Sequence, residues 1–352
     1  MKSEKHSKQQ SSTIRRIIFL LLLFTAFIFA ISRLSEVQQV AETMQKGDWR
    51  WLGLGILAHL LWLITMAACF QELYAILGLK EKLVRLLLLY TAANFVNIVA
   101  PSAGIGGMAI FLDDASKNDH NPGRVTTAAA LYILLDYFAI LSFVALGLIA
   151  LFRRNQLNGG EIAAAILLLL LAITFATLLY LGMRSEEKMA RLLSWSSRKI
   201  NGLLRPLLKR DYINPARAAE FARDLAEGLK QVRHHPTSLI KPALLALLGK
   251  ALLNSVLAFI FLAFGQTITL GTLVGGFSIS YLFVIISPTP AGLGFVEGAM
   301  SLALTSLRVP FTQSIILTLS YRGITFWLTL VYGIIALRFV NRLTPTPAEE
   351  IQ

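Results

Sequence analysis

Charged residues and cysteines are scarce in this chain of 352 residues. Only 15% of the residues are charged, whereas 55% are hydrophobic and the mean hydropathy is +0.64. A soluble domain of this length carries more charge, so the composition predicts an all-α, polytopic integral membrane protein. The single cysteine, Cys69, excludes an intramolecular disulfide and a cysteine-rich metal site. The sequence has no Walker A glycine loop, so we do not expect the chain to hydrolyse ATP.

The charge that is present is mostly basic. Lysine and arginine number 33 against 20 acidic residues, which gives a formal net charge of +13. These basic residues lie between apolar runs rather than along one soluble face, which is typical of charges that set topology and contact lipid. We therefore expect membrane lipids, and no nucleic acid, as partners.

Six apolar runs are candidate membrane spans. A bilayer core about 30 Å thick requires roughly 20 apolar residues. The first run follows the basic residues 1–16 and is as short as the core of a signal peptide, but we favour a retained span because cleavage would disturb the charge pattern. The predicted spans are residues 17–32, 51–70, 125–152, 162–183, 239–264 and 311–337.

The distribution of lysine and arginine predicts the orientation of these spans. Residues 184–241 carry 13 of the 33 basic side chains and form a basic amphipathic segment, so we place them in the cytoplasm. The same rule places both termini, including the short tail 343–352, at the cytoplasmic face of the cell membrane. Apolar stripes in the basic segment predict interfacial helices that contact anionic lipid headgroups, and a topology anchor without recognition is the alternative.

Two further apolar stretches are each interrupted by proline and glycine. The interruptions, at residues 98–107 and 285–294, both end in Ala-Gly-(Ile/Leu)-Gly. Irregular backbone is tolerated at membrane depth only where protein or a wet cavity surrounds it. We therefore predict two re-entrant helical hairpins that enter from opposite sides of the membrane.

The hairpins divide a transmembrane domain of residues 17–342 into two repeats. Repeat one covers residues 51–152 and repeat two covers residues 239–337. Each contains a span, a hairpin and a second span in opposite orientations, which is the pattern of an inverted-topology repeat. Alternating access is the transport mechanism expected of such a fold.

Four ionisable residues lie within or beside the apolar segments. Asp136 and Arg322 occupy nearly matching positions after the two interruptions, so we predict that they form a pair. A charge at the bilayer centre costs about 2.5–3.5 kcal/mol on insertion scales, so each should face the bundle interior or a cavity. Lys250 marks a polar face on its span. Glu297 follows the second interruption, where it either binds substrate or only caps a helix. A purely structural ion pair is the alternative for the charged residues.

The interruptions also supply groups suited to a phosphate. Helices that begin after Gly107 and after Gly294 would direct free N–H groups toward the middle of the membrane. Asn94 and Asn97 share one helix face and either donate to the same phosphate or bond a neighbouring helix. The predicted substrate site takes from the interruptions Pro101, Gly104, Gly106, Gly107, Pro290, Gly292 and Gly294.

These motifs resemble a known family. The pattern N-x-x-x-x-x-x-P-x-x-G-x-G-G begins at Asn94, and P-A-G-L-G-F-V-E begins at Pro290. Together they are similar to the lysylphosphatidylglycerol synthase transmembrane (flippase-like) family, the membrane half of the multiple peptide resistance factor, over residues 12–342. The resemblance implies a lipid-translocating domain with two re-entrant hairpins, whose polar positions here are Asp136, Glu297 and Arg322.

The chain departs from the pattern of that family in two places. Only a short tail follows Arg342, so the aminoacyltransferase domain of the full synthase is missing and we do not expect the chain to be an enzyme. A separate lipid-modifying enzyme is then a candidate partner. Asp113 and Asp114 follow the first interruption, where a basic residue is more usual.

Three classes of function remain open at this point. The hairpins and intramembrane charges favour a flippase or scramblase for a phosphate-bearing lipid, either aminoacyl-phosphatidylglycerol-like or another phospholipid, with a polyprenyl-phosphate carrier lipid as the alternative. A membrane-embedded transferase would hold a metal and a phosphate with Asp113, Asp114 and Asp119, although a solvated turn explains these residues more simply. An accessory protein for envelope lipid or glycan synthesis needs no intramembrane charges.

The favoured class requires no metal and no cofactor. Its energy source stays open between coupling to protons or sodium through Asp136 or Glu297 and passive equilibration down a lipid gradient.

Overall fold

The computed structural model of the chain describes five continuous stretches, which are residues 34–99, 105–118, 120–152, 236–287 and 292–343. It also describes scattered single positions between residues 166 and 229. Every regular element in these stretches is helical, which confirms the all-α prediction. The predicted segments that lie wholly or mostly outside the described residues are 1–16, 17–32, 162–183, 184–241 and the tail 343–352.

Ten α-helices are described. A 3₁₀ turn, Pro236–Leu239, and a π-helical turn, Gly323–Trp327, are also present in the described residues. The helices are α1 (Leu34–Met44), α2 (Trp49–Ile76), α3 (Leu83–Val99), α4 (Ile105–Lys117), α5 (Pro122–Phe152), α6 (Ile240–Ala263), α7 (Leu270–Ile286), α8 (Phe295–Ser306), α9 (Phe311–Arg322) and α10 (Leu328–Leu343).

Four of the described helical segments are long and apolar enough to cross a membrane. They are 26 to 30 residues long, which exceeds the roughly 20 residues that the hydrocarbon core requires. They agree with four of the six predicted spans and run over Trp49–Ile76, Pro122–Gly147, Thr237–Ala263 and Phe311–Val340.

The two predicted interruptions each separate a pair of short helices. The described part of helix α3 has 17 residues and is about 25 Å long at 1.5 Å per residue, which is shorter than a full crossing. It packs against α4, and α7 packs against α8 in the same way, so each pair forms a helical hairpin. That these hairpins re-enter the membrane stays a prediction. Pro101, Gly104 and Pro290 lie outside the described residues.

The helix contacts join the two predicted repeats. Helices α2 and α6, the first span of each repeat, pack against one another. Gly249 of α6 lies against the Met66 and Trp62 side chains of α2, and a small residue here lets the two backbones approach. Helix α3 of repeat one packs on α10 of repeat two, whereas α7 of repeat two packs on α5 of repeat one. Each hairpin is therefore held by the other repeat.

Candidate functional site

A cavity of about 340 Å³ lies inside the helix bundle, between the two repeats. Eight aromatic residues line it: Trp62, Phe70, Tyr90, Phe111, Tyr132, Tyr281, Tyr321 and Phe326. Two charged side chains, Asp136 and Arg322, also line it. The uncharged polar side chains on the wall are Asn94, Asn97, Ser280, Thr325 and Thr329. A mostly apolar pocket with a few convergent polar groups is typical of a ligand-binding site.

The negative charge on the cavity wall belongs to an ion pair between the repeats. Asp136 of α5 places its Oδ1 atom 2.6 Å from Nζ of Lys250 on α6. The Lys250 side chain is only 1% exposed, and its ammonium donates a hydrogen bond of 2.7 Å to the Tyr281 hydroxyl of α7. The predicted pair of Asp136 with Arg322 is therefore wrong. Both residues line the same cavity, but Asp136 takes Lys250 as its ion-pair partner because α6 packs beside α5.

The positive charge on the wall is held by Glu297. Arg322, at the end of α9, donates from Nε to Oε1 of Glu297 over 2.7 Å. The other carboxylate oxygen of Glu297 accepts a hydrogen bond of 2.7 Å from the backbone N–H of Gly294, at the start of α8. The arginine also lies over the Phe326 ring at 4.4 Å from its centre. Glu297 therefore caps its helix and orients the cavity arginine with the same side chain.

The asparagines act mainly within the protein. Asn94 donates from Nδ2 to the carbonyl oxygen of Tyr90, one turn earlier on α3, over 3.1 Å. Asn97 accepts a hydrogen bond of 2.7 Å from the backbone N–H of Gly107, across the first hairpin. A Cβ atom on Gly107 would overlap the Asn97 side chain, so the glycine permits this close contact. The N–H of Gly107 is thus already hydrogen-bonded to Asn97. This contact corresponds to the predicted alternative in which the asparagine bonds a neighbouring helix rather than a phosphate.

The helix starts match the prediction at one hairpin and differ at the other. Helix α8 begins at Phe295, directly after Gly294, as predicted. The described part of helix α4 begins at Ile105, three residues before the expected start at Met108, so Gly106 and Gly107 lie inside the helix. Neither Gly106, Gly292 nor Gly294 is among the cavity-lining residues.

Glycines 292 and 294 have a conformational role beside the cavity. Gly292 has φ +77° and Gly294 has φ +78°, values that residues with a side chain rarely adopt. A Cβ atom on Gly292 would also overlap the Val296 side chain. These glycines therefore shape the turn that presents Glu297 to Arg322.

Replacement of Gly292 by alanine is expected to lower the free energy of unfolding by about 1–3 kcal/mol, because the left-handed backbone strains any side chain. Gly298 of α8 provides a matched control, since a Cβ atom there meets nothing within 4 Å. Gly298→Ala should stabilise the helix by up to about 1 kcal/mol. Thermal unfolding in detergent compares the two variants. Equal shifts for both would contradict the assigned role of Gly292.

Two of the aspartates considered for a transferase site form ion pairs with different basic residues. Asp114 is buried and accepts hydrogen bonds of 3.1 and 2.7 Å from Nε and Nη2 of Arg85, which ties α4 to α3. Asp113 forms an ion pair of 2.6 Å with Lys117, one turn away. Asp119 lies outside the described residues. These ion pairs give Asp113 and Asp114 separate structural roles at the end of the first hairpin.

The sequence interpretation missed a polar contact behind the cavity wall. His59 of α2 is fully buried, and its Nε2 atom lies 3.1 Å from Oγ1 of Thr329, a wall residue on α10. The Thr329 hydroxyl donates to the Thr325 carbonyl oxygen, so it accepts from His59, which places the histidine proton on Nε2. A lone histidine in an apolar run carries no sequence signal for this partner, which lies 270 positions away.

Comparison with known proteins supports the family resemblance that the two motifs indicate. The family described as the lysylphosphatidylglycerol synthase TM region matches residues 16–333. A UPF0104 membrane protein of Pyrococcus horikoshii is 24% identical over 336 residues, which cover 91% of this chain and 96% of that protein. The family match spans most of the chain and includes both hairpins and all four charged residues of the site. The protein therefore belongs to the lysylphosphatidylglycerol synthase transmembrane-region family.

Proposed function

We propose that this protein moves a phosphate-bearing lipid between the two leaflets of the cell membrane by alternating access. The headgroup occupies the central cavity, while the acyl chains stay in the surrounding lipid. Membership of a family described by lipid synthase membrane regions supports a lipid substrate. The proposed step is transport, with no covalent chemistry on the lipid.

The observation that carries this proposal is the position of Arg322. It lies on the wall of an aromatic cavity within helices of membrane length, and Glu297, which orients it, is not a lining residue. A guanidinium is the side chain best suited to bind phosphate, because its planar array of donors matches the phosphate oxygens. The volume of about 340 Å³ falls at the small end of the range of about 300–1,000 Å³ for ligand pockets. It suits a headgroup rather than a whole lipid.

The packing of each hairpin on a helix of the other repeat supports the alternating-access part of the proposal. Helix α3 packs on α10 and α7 packs on α5, so a tilt of one repeat against the other moves both hairpins relative to the cavity. We propose that the hairpins enter the membrane from opposite sides and that the cavity opens to one leaflet at a time. In this orientation the chain termini and the basic segment 184–241 face the cytoplasm, where the segment would attract anionic lipid headgroups.

Lipid translocation in proteoliposomes tests the proposal. The purified chain is reconstituted into vesicles of phosphatidylcholine and phosphatidylglycerol that contain a trace of lipid with a fluorescent acyl chain. A membrane-impermeant reductant then measures the fraction of probe in the outer leaflet. Separate preparations use labelled phosphatidylglycerol, its lysyl ester, phosphatidylethanolamine and a polyprenyl phosphate.

We expect faster loss of fluorescence than in protein-free vesicles for at least one phospholipid probe. Movement of the polyprenyl phosphate alone would assign the chain to carrier-lipid transport instead. No movement of any probe would contradict the transport proposal and favour an accessory role in envelope synthesis.

A further inference from the structure

Asp136 lies between the cavity and a buried ammonium group. Among the residues that the structure describes, it is the one carboxylate on the cavity wall. Its side chain is 18% exposed, whereas that of Lys250 behind it is 1% exposed. Asp136 is therefore the member of the ion pair that lines the cavity, and Lys250 is not a lining residue.

The two intramembrane carboxylates differ in how firmly they are held. Glu297 uses one oxygen for Arg322 and the other for the N–H of Gly294, so both are engaged in hydrogen bonds. Asp136 has one partner among the described residues, Lys250, whose Nζ atom lies 2.6 Å from Oδ1. Lys250 also donates a hydrogen bond to the Tyr281 hydroxyl. Asp136 is thus the acid whose partner can be exchanged, and Lys250 stays anchored to Tyr281 when it is.

The groups that face this ion pair do not compete with it for protons near neutral pH. The charged neighbour in the cavity is Arg322. The other titratable neighbours are a thiol and four phenols, which are ordinarily neutral near pH 7. They come from α2, α3, α5 and α7 and are Cys69, Tyr90, Tyr132, Tyr137 and Tyr281.

We propose that Asp136 binds one proton for each lipid that the protein moves, so that transport is proton-coupled. This inference rests on the proposed function. Asp136 belongs to repeat one and Lys250 to repeat two, so a tilt of the repeats opens the ion pair. An unpaired carboxylate is costly at membrane depth, and protonation from the aqueous side removes that cost. The lipid phosphate, which Arg322 binds on the cavity wall, then also replaces Asp136 as the counter-ion of Lys250.

Charge and protons balance over one transport cycle. Opening the pair takes up one proton on Asp136 and one phosphate beside Lys250, both from the same side. When the pair closes on the other side, Asp136 releases its proton to water and Lys250 releases the phosphate. One proton and one lipid therefore cross together, and the empty protein returns with its ion pair closed.

The steady-state distribution of lipid between leaflets tests this inference. Vesicles of phosphatidylcholine and labelled phosphatidylglycerol are given a pH gradient of about one unit, with the membrane voltage held at zero by potassium and valinomycin. Coupling of one proton to one lipid predicts that the probe accumulates about tenfold in the leaflet facing the alkaline side. Without a gradient, the two leaflets should contain equal amounts. Rapid exchange with equal leaflets in the presence of the gradient would overturn proton coupling and leave the proposed function intact.

Asp136→Asn identifies the coupling residue, and Asp113→Asn is its matched control. Asp113 lies on α4 outside the cavity, paired with Lys117. We expect Asp136→Asn to lose the tenfold accumulation and Asp113→Asn to keep it. Accumulation that persists in Asp136→Asn would overturn the assignment to this residue. If Asp136→Asn does not fold, the wild-type distribution still decides whether transport is coupled. A wild-type protein that moves no lipid would contradict the proposed function itself.

Discussion

Replacement of Arg322 by glutamine is expected to slow lipid translocation by about tenfold to a hundredfold. A hydrogen bond to a charged group contributes roughly 1.5–3 kcal/mol, and glutamine cannot supply the guanidinium charge to a phosphate on the cavity wall. The same substitution leaves the carboxylate of Glu297 in the bundle without its ion-pair partner, so the variant should also be less stable. The rate is measured by the reductant assay in proteoliposomes.

Two further variants separate these effects of Arg322. Arg338→Gln removes an exposed arginine from α10 and should leave both rate and stability unchanged. The double variant Glu297→Gln with Arg322→Gln has no unpaired charge, so it should regain stability but not transport. A double variant that regains the wild-type rate would show that Arg322 serves the structure and does not bind substrate.

Replacement of Lys250 by methionine is expected to lower the free energy of unfolding by roughly 3–5 kcal/mol, because it removes one partner of a buried ion pair. Lys250 is 1% exposed, and methionine fills a similar volume, so the lost charge rather than a cavity dominates the effect. Adding Asp136→Asn removes the second charge and should recover most of the lost stability. Thermal unfolding of wild type, both single variants and the double variant gives the four stabilities of a double-mutant cycle.

The coupling energy in this cycle distinguishes a direct pair from two independent charges. Residues that form one ion pair show non-additive effects of about 0.5–3 kcal/mol. Additive losses for Lys250→Met and Asp136→Asn would contradict the pairing in the structure. As a further control, Lys241→Met removes an exposed lysine at the start of α6 that pairs with Glu72 near the end of α2, and should cost under about 1 kcal/mol.

The long apolar runs and the proline-glycine interruptions could be predicted from the sequence, because each has a strong local signal. Twenty apolar residues specify a spanning helix, and proline with glycine ends one. The structure accordingly ends α7 at Ile286, where the second interruption begins, whereas residues 100–104 of the first interruption lie outside the described residues. Helix α4 differed from prediction because Gly106 and Gly107 adopt helical backbone, supported by the bond from Gly107 to Asn97.

The partners of the charged residues could not be predicted in the same way. Sequence position gives the depth of Asp136 and Arg322 along their helices, and both indeed line one cavity. It does not give the rotation of each helix about its axis. Membrane helices that are apolar all round carry little periodicity from which to read that rotation. Lys250 and Glu297 were therefore recognised as site residues, but their partners came only from the packing of α6 on α5 and of α8 on α9.

The aromatic wall of the cavity was missed for a related reason. Tyr90, Tyr132 and Tyr281 come from three helices, and each is an ordinary residue in its own apolar run. Their shared role depends on contacts such as the 2.8 Å hydrogen bond between the Tyr90 and Tyr132 hydroxyls. Such contacts join residues far apart in the chain and leave no local pattern.

The presence of a lipid headgroup in this cavity is tested most directly by photo-crosslinking. Phosphatidylglycerol with a diazirine on its headgroup is incorporated into proteoliposomes, irradiated, and mapped by mass spectrometry of the digested protein. We predict adducts on cavity-lining segments of α3, α5 and α9, which diminish with excess unlabelled lipid and in Arg322→Gln. Adducts confined to outward-facing residues such as Leu57, Leu244 and Val331 would contradict the account.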